Sequence, residues 1–191
     1  MQDEMIKNEI GRLQKEVVRY REKINELRKK ITPEEVENYE FKDPEGKAVK
    51  LSEMFGEKDE LIVIHNMGKS CPYCTLWADG FNGFYEHFEN RAGFVLTSPD
   101  SPEILKEFSE GRNWKFKVYS TKENSFKKDL GFYTEKEKNI PGVSTFLKDG
   151  NGNIFHYSSD RFGPGDDYCS IWHFFDMLPK GQNSWRPRFT Y

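Results

Sequence analysis

An uninterrupted apolar run, Leu61-Ile62-Val63-Ile64, leads through a short connection to Cys71-Pro72-Tyr73-Cys74, and a helix-compatible stretch from Tyr73 to Phe88 follows. A buried strand, a turn and a helix in that order confine the chain to α/β architectures, with the two thiols at the mouth of the helix. Pro72 suits the first helical position, where its missing N–H leaves nothing unpaired, so Cys71 falls near the N-cap. There the unpaired backbone donors and the positive end of the helix dipole favour a thiolate. Lys69, two positions earlier, adds positive potential if its side chain turns toward the sulfur. Cys74 lies about one turn further in, placed to attack a mixed disulfide formed on Cys71. The pair reads as an attacking and a resolving thiol acting on a protein or small-molecule disulfide, with a thiol reductant to restore it. His65, at the strand end, is a candidate proton acceptor for Cys71.

The same cysteines permit a second reading. Cys169 and His173 lie four apart in an expected helix, so Cys71, Cys74, Cys169 and His173 have the ligand types of a Cys3His zinc site. Against this, Cys169 and His173 are embedded in Ile171, Trp172, Phe174 and Phe175, as a small apolar filler and a polar residue on an aromatic helix would be. No phosphate-cradling glycine loop is present, so no nucleotide cofactor is implied, and the dithiol chemistry itself needs none.

The 191 residues allow one domain with a substantial core plus an appendage, and three cysteines do not make a disulfide framework. A net charge of -3 gives no reason to expect nucleic acid. The longest apolar run is far short of the ~20 residues that cross a bilayer, and the charged N-terminus has no signal-peptide core, so the expectation is a cytoplasmic protein off the membrane.

Three segments organise the chain: a helix over 1–35, a globular domain over 36–180 and an irregular tail over 181–191. Ile6, Ile10, Leu13, Val17, Tyr20, Ile24, Leu27 and Ile31 alternate at spacings of four and three, an apolar stripe that asks for a cover. A parallel zipper would pair Glu16 with Arg21 but set Lys23 against Arg28. Docking on its own domain, or on a homodimer mate in another orientation, satisfies the stripe better. Thr32-Pro33-Glu34-Glu35 reads as a cap and a helix restart. Beyond it, strands are expected at Tyr39 to Lys42, Ala48 to Leu51, Gly93 to Ser98, Trp114 to Ser120, Val143 to Leu147 and Asn153 to Tyr157. Helices are expected at Ser101 to Gly111 and Cys169 to Leu178. Asp43-Pro44-Glu45-Gly46 is a type I turn and Asp149-Gly150-Asn151-Gly152 a hairpin. The result is a mixed central sheet with helices on both faces.

This succession resembles the thioredoxin-fold redoxins. Within them it most closely resembles a bacterial thioredoxin-like family whose domain is of unknown function. The residues carrying the resemblance are His65-Asn66-Met67, the Cys71 to Cys74 turn with Asp79, Thr97-Ser98-Pro99, Trp114-Lys115-Phe116, Pro141-Gly142-Val143-Ser144, Phe155-His156-Tyr157-Ser158, Arg161 and Pro179-Lys180-Gly181. It implies a thioredoxin-like fold and redoxin chemistry at Cys71 and Cys74, with Tyr73 and Ser144 on the substrate side. Cys71-Pro72-Tyr73-Cys74 is the glutaredoxin tetrapeptide. Two departures stand out. Ser144 occupies the place of the redoxin cis-proline, so a trans bond is expected there, a cis one costing about 3 kcal/mol. Gly68 stands where peroxidatic redoxins carry a threonine, three residues before the reactive cysteine, which weakens the case for peroxidase activity.

Overall fold

The computed structural model describes residues 2–191. It falls into two units, Met1–Pro33 and Glu34–Tyr191. The first is helix α1, Gln2–Arg28, with Asp3 and Glu4 in its first turn and Arg28 in its last, the polarity that the helix dipole favours. Arg12 bridges Glu9 and Glu16 along its surface. None of its described residues is buried, and Ile10, Leu13, Val17, Tyr20, Ile24 and Leu27 are each about half exposed.

The second unit is built on an eight-stranded sheet. Its strands are β1 (Glu34–Val36), β2 (Glu40–Lys42), β3 (Ala48–Lys50), β4 (Glu60–His65), β5 (Gly93–Ser98), β6 (Lys117–Ser120), β9 (Gly142–Lys148) and β10 (Ile154–Arg161). A small separate hairpin holds β7 (Tyr133–Thr134) and β8 (Lys138–Asn139). The sheet order is β1-β10-β9-β4-β5-β6-β2-β3. Strands β4, β5 and β6 run parallel at its centre, joined by α3 (Pro72–Arg91) and α4 (Pro102–Gly111), and the flanking strands are antiparallel. Three short helices complete the unit: α2 (Leu51–Met54), α5 (Phe126–Asp129) and α6 (Ile171–Asp176).

Both faces of the centre are covered, so residues 61–64 of β4 and 94–96 of β5 are apolar without a break. Strand periodicity sends Ile64, Phe94, Leu96 and Val118 to one face, against Trp77, Ala78 and Phe81 of α3, Leu105 of α4 and Trp172 of α6. Leu61, Val63, Val95 and Tyr119 go to the other, against Leu51 and Met54 of α2, Phe126 of α5 and Phe146 of β9. The next residue of β4 in that alternation is His65, which therefore points to the second face.

Several expectations are corrected. Thr32-Pro33-Glu34-Glu35 does not restart a helix: Glu34–Val36 adds as an edge strand to β10, whose free backbone groups outweigh the weak helical signal of a proline and two glutamates. The strand expected from Trp114 begins only at Lys117, because the backbone is left-handed at Asn113 (φ 53°) and Trp114 N–H folds back onto Ser109 O. The last helix is shorter than expected, since Asp166 accepts hydrogen bonds from the N–H groups of Tyr168 and Cys169 and holds them outside it. Residues 181–191 have an irregular backbone and pack within the second unit: Trp185 lies on Trp172 and Phe175, and Phe189 O accepts from Arg112.

Candidate active site

The β4–α3 connection, His65 to Cys71, carries the chemistry to the carboxyl edge of the parallel strands. Cys71 is the N-cap of α3, extended at φ -96° and ψ 104°, with Pro72 opening the helix. Its Sγ accepts the N–H of Cys74 at 3.1 Å, one of the helix donors that would otherwise lack a partner. Its carbonyl accepts from Thr75 twice, through N–H at 3.1 Å and Oγ1 at 3.0 Å. The hydrogen bond from the Cys74 thiol, helped by the N–H groups of Cys74 and Tyr73 and opposed by partial burial, brings the Cys71 thiol down to about 7. Cys74 is buried, and the Cys71 sulfur together with that burial pushes its thiol up. One thiol is thus half-exposed and readily ionised; the other is enclosed and held protonated.

Lys69 is exposed, and its N–H donates to Asp100 Oδ2 at 2.7 Å. Tyr73 is half-buried with its ring toward Trp77 and Trp172. His65 is fully enclosed between Phe132, with ring centres 3.7 Å apart, and Phe126 at 5.5 Å. Burial, and then the charges of Lys127 and His156, push its imidazole well below the usual histidine range. His65 Nε2 lies 2.9 Å from Ser144 Oγ, and Ser144 is itself fully buried. The His65–Ser144 pair joins β4 to β9, and the Ser144 hydroxyl is engaged there inside the domain. Every peptide bond among the described residues is trans, the one before Ser144 included.

The zinc reading is not assembled. Among the described residues no three His, Cys, Asp or Glu side chains converge as a metal set. Cys169 packs in the aromatic cluster, while His173 stands exposed, 3.5 Å from Asp167. Asp79 is tied into the scaffold: Arg112 holds both its oxygens and Trp114 Nε1 donates to it at 2.9 Å. Arg161 braces Glu137 at 3.6 Å.

Two participants carried no local signal. Lys127, on the four-residue α5, is 4% exposed and donates from Nζ to Asn66 O in the β4–α3 connection. Asp100 gathers Lys69 N–H and Ser98 Oγ on one oxygen. Asp100 merely follows the Thr97-Ser98-Pro99 run, and nothing in Phe126-Lys127-Lys128-Asp129 marks a buried cation.

Comparison with known proteins agrees with this fold. Over 127 residues the chain is 29% identical to a chloroplastic peroxiredoxin Q of Sedum lineare, covering 66% of this chain and 67% of that one. Two further plant peroxiredoxin Q sequences are spanned over 58% of their length. Among solved structures, the peroxidoxin BcpB of Mycobacterium tuberculosis superposes with a TM-score of 0.52 at 21% identity, covering 64% of this chain and 81% of that one. A PrxQ mutant of Xylella fastidiosa reaches a TM-score of 0.59 at 16% identity, over 74% and 91% of the two chains. These likenesses establish the thioredoxin-like fold. Residues 4–190 match the family described as bacterial protein of unknown function (DUF899), and to that family of thioredoxin-like redoxins the chain belongs.

Proposed function

We propose that the protein is a thiol–disulfide oxidoreductase in which Cys71 attacks and Cys74 resolves. The observation that carries this reading is the asymmetry of the two thiols on one helical turn: Cys71 half-exposed with its thiol at about 7, Cys74 buried with its thiol pushed up. The Cys71 thiolate attacks a substrate disulfide, forming a mixed disulfide and expelling one thiolate. Cys74 loses its proton and attacks Cys71 Sγ, closing the Cys71–Cys74 bond and releasing the second thiol. A thiol reductant returns the pair to the dithiol form. Half-exposed Tyr73 offers an apolar edge beside the attacking sulfur.

Peroxide reduction is the second reading, favoured by the names of the plant relatives. There the Cys71 thiolate attacks the O–O bond, leaving a sulfenic acid and an alcohol or water, and Cys74 condenses with it, losing water. Gly68 weighs against it. Its φ of +110° strains any L side chain, and a Cβ would meet Asp100 Oδ1 at 3.2 Å, so the threonine that peroxidatic redoxins carry there would need the turn or Asp100 to shift.

Equilibration in glutathione buffers of stepped potential, followed by alkylation and intact mass, tests the main reading. A reversible Cys71–Cys74 bond with a midpoint between roughly -270 and -120 mV supports it; two thiols that never pair sink it. Turnover of hydrogen peroxide against that of a model disulfide, under one thiol reductant, ranks the two readings. No helix among the described residues is long and apolar enough to cross a membrane. The α1 stripe, about half exposed at each of its residues, suits a second copy of the chain in other than parallel register. Sedimentation of Val17→Glu as monomer, where the unaltered chain sediments as dimer, is the expected result.

A further inference from the structure

Lys127 is the one lysine or arginine that is buried among the described residues, and its place is not accidental to the thiols. Phe126, beside it on α5, is fully buried against Phe41, Tyr39 and His65, which fixes the short helix under the sheet's second face. From there Nζ reaches Asn66 O, at the point where the chain leaves β4 for the cysteine turn. The same connection is pinned by Asn66 Oδ1 accepting Gly68 N–H at 2.7 Å and by Asn66 N–H donating to Thr97 O at 2.9 Å. A neutral donor could hold Asn66 O. While protonated, which burial confines to about pH 7 and below, the amine also projects charge, and the ionisable groups within its reach are Cys74 on α3, His65 on β4 and Asp100 after β5. His65 is enclosed and neutral, and Asp100 already has Lys69 N–H and Ser98 Oγ. Cys74 is the group whose chemistry requires a new negative charge in a buried site.

Resting on the dithiol reading above, we propose that Lys127 is a positioning residue for the resolving thiol: its charge beneath the β4–α3 connection lowers the cost of forming the Cys74 thiolate. Timing follows from the neighbours. While Cys71 carries a thiolate, that charge and the hydrogen bond between the sulfurs hold the proton on Cys74. Once Cys71 is bound in a mixed disulfide, its charge is gone, and Met67 N–H and Lys127 are left to act on Cys74 in the direction of ionisation. Cys74 Sγ then attacks Cys71 Sγ, the bond from Cys71 to the substrate sulfur breaks, and the proton given up by Cys74 ends on the departing thiolate. The ammonium is unchanged at the end of the step.

The test separates charge from bracing. A mixed disulfide is loaded on Cys71 with a chromogenic aryl thiol, and closure of the Cys71–Cys74 bond is followed against pH in the unaltered chain, Lys127→Gln and Lys127→Arg. Gln keeps a donor for Asn66 O without the charge. It is expected to close at least about tenfold more slowly at pH 6, where Lys127 carries its proton, with the difference narrowing as pH rises above 7, while Cys71 alkylation changes by less than about threefold. Arg is expected to recover most of the rate. Equal closure in Lys127→Gln at every pH, or an equal fall in Cys71 alkylation, overturns the proposal. A measurement on the unaltered chain covers the case in which these variants do not fold. Coupling between charges is reciprocal, so the 15N-detected titration of Lys127 Nζ must differ between the dithiol and disulfide forms. Coincident titrations overturn the proposal. Failure of the oxidoreductase reading looks different, since the unaltered chain then closes no Cys71–Cys74 bond at all.

Discussion

Cys71 and Cys74 occupy one turn of one helix, yet the surroundings of the first are local and those of the second are assembled from across the domain. Around Cys71 are Gly68 O, Pro72, the N–H of Cys74 and the Thr75 hydroxyl, all within four residues. On Cys74 act Met67 N–H and Lys127 from α5, and Lys127 in turn bears on His65, which Phe132 and Ser144 hold. A helix terminus can make a reactive cysteine with a handful of consecutive residues. Controlling its buried partner takes groups more than fifty positions away, and the comparison suggests which substitutions change chemistry and which change the scaffold.

The largest effect is expected at the local end. Cys71→Ser should lower disulfide turnover by at least about a thousandfold, read as steady-state reduction of a model disulfide, because nothing replaces the attacking sulfur. Cys74→Ser should stop turnover too but leave Cys71 alkylation within a few-fold and accumulate a mixed disulfide visible by intact mass. Equal loss of alkylation in both variants would break the division of labour.

The remote end should show in stability. Burial, eased only partly by Cys74 and Asp100, brings the Lys127 amine down to about 7 from its ordinary 10.5. A cation whose folded value is depressed penalises the fold in full below about pH 7, and the penalty fades as pH rises toward 10.5, where both states are neutral. Lys127→Met should therefore be more stable than the parent by roughly 1–3 kcal/mol below pH 7, after allowing for the bond lost at Asn66 O. By pH 10 that gain should have shrunk or reversed; urea unfolding at pH 6 and pH 10 reads both. A variant that gains stability while the resolving step slows would mark the lysine as kept for chemistry. Smaller still, Ser144→Ala should cost about 1–2 kcal/mol at neutral pH by leaving His65 Nε2 buried without a partner, with Cys71 alkylation unaffected.

Legibility divides along the same line. The apolar runs of β4 and β5, the Pro72 helix start and the Asp149–Gly152 hairpin are each set by a few adjacent residues, and all stand where expected. Lys127 and Asn66 lie 61 positions apart, and no period or turn rule links them. Strand β1 was illegible for a related reason: Glu34, Glu35 and Val36 have little preference of their own and become a strand because β10 offers an edge. His65 was readable as a group near the thiols, but not as a neutral brace, since its enclosure depends on Phe126, Phe132 and Ser144.

That three-residue strand has a consequence for how the domain keeps company with others. Strand β10 runs eight residues, Ile154–Arg161, and without β1 its outer side would be a long row of unpaired backbone groups, a template for another chain. β1 covers Ile154 to His156, and the irregularity between His156 and Ser158 turns the remainder out of flat register. The sheet's other margin ends in the equally short β3, which carries Lys50. Trimming the chain past Val36 would therefore unguard the margin beside β10, and the first symptom would be lost solubility rather than lost redox chemistry.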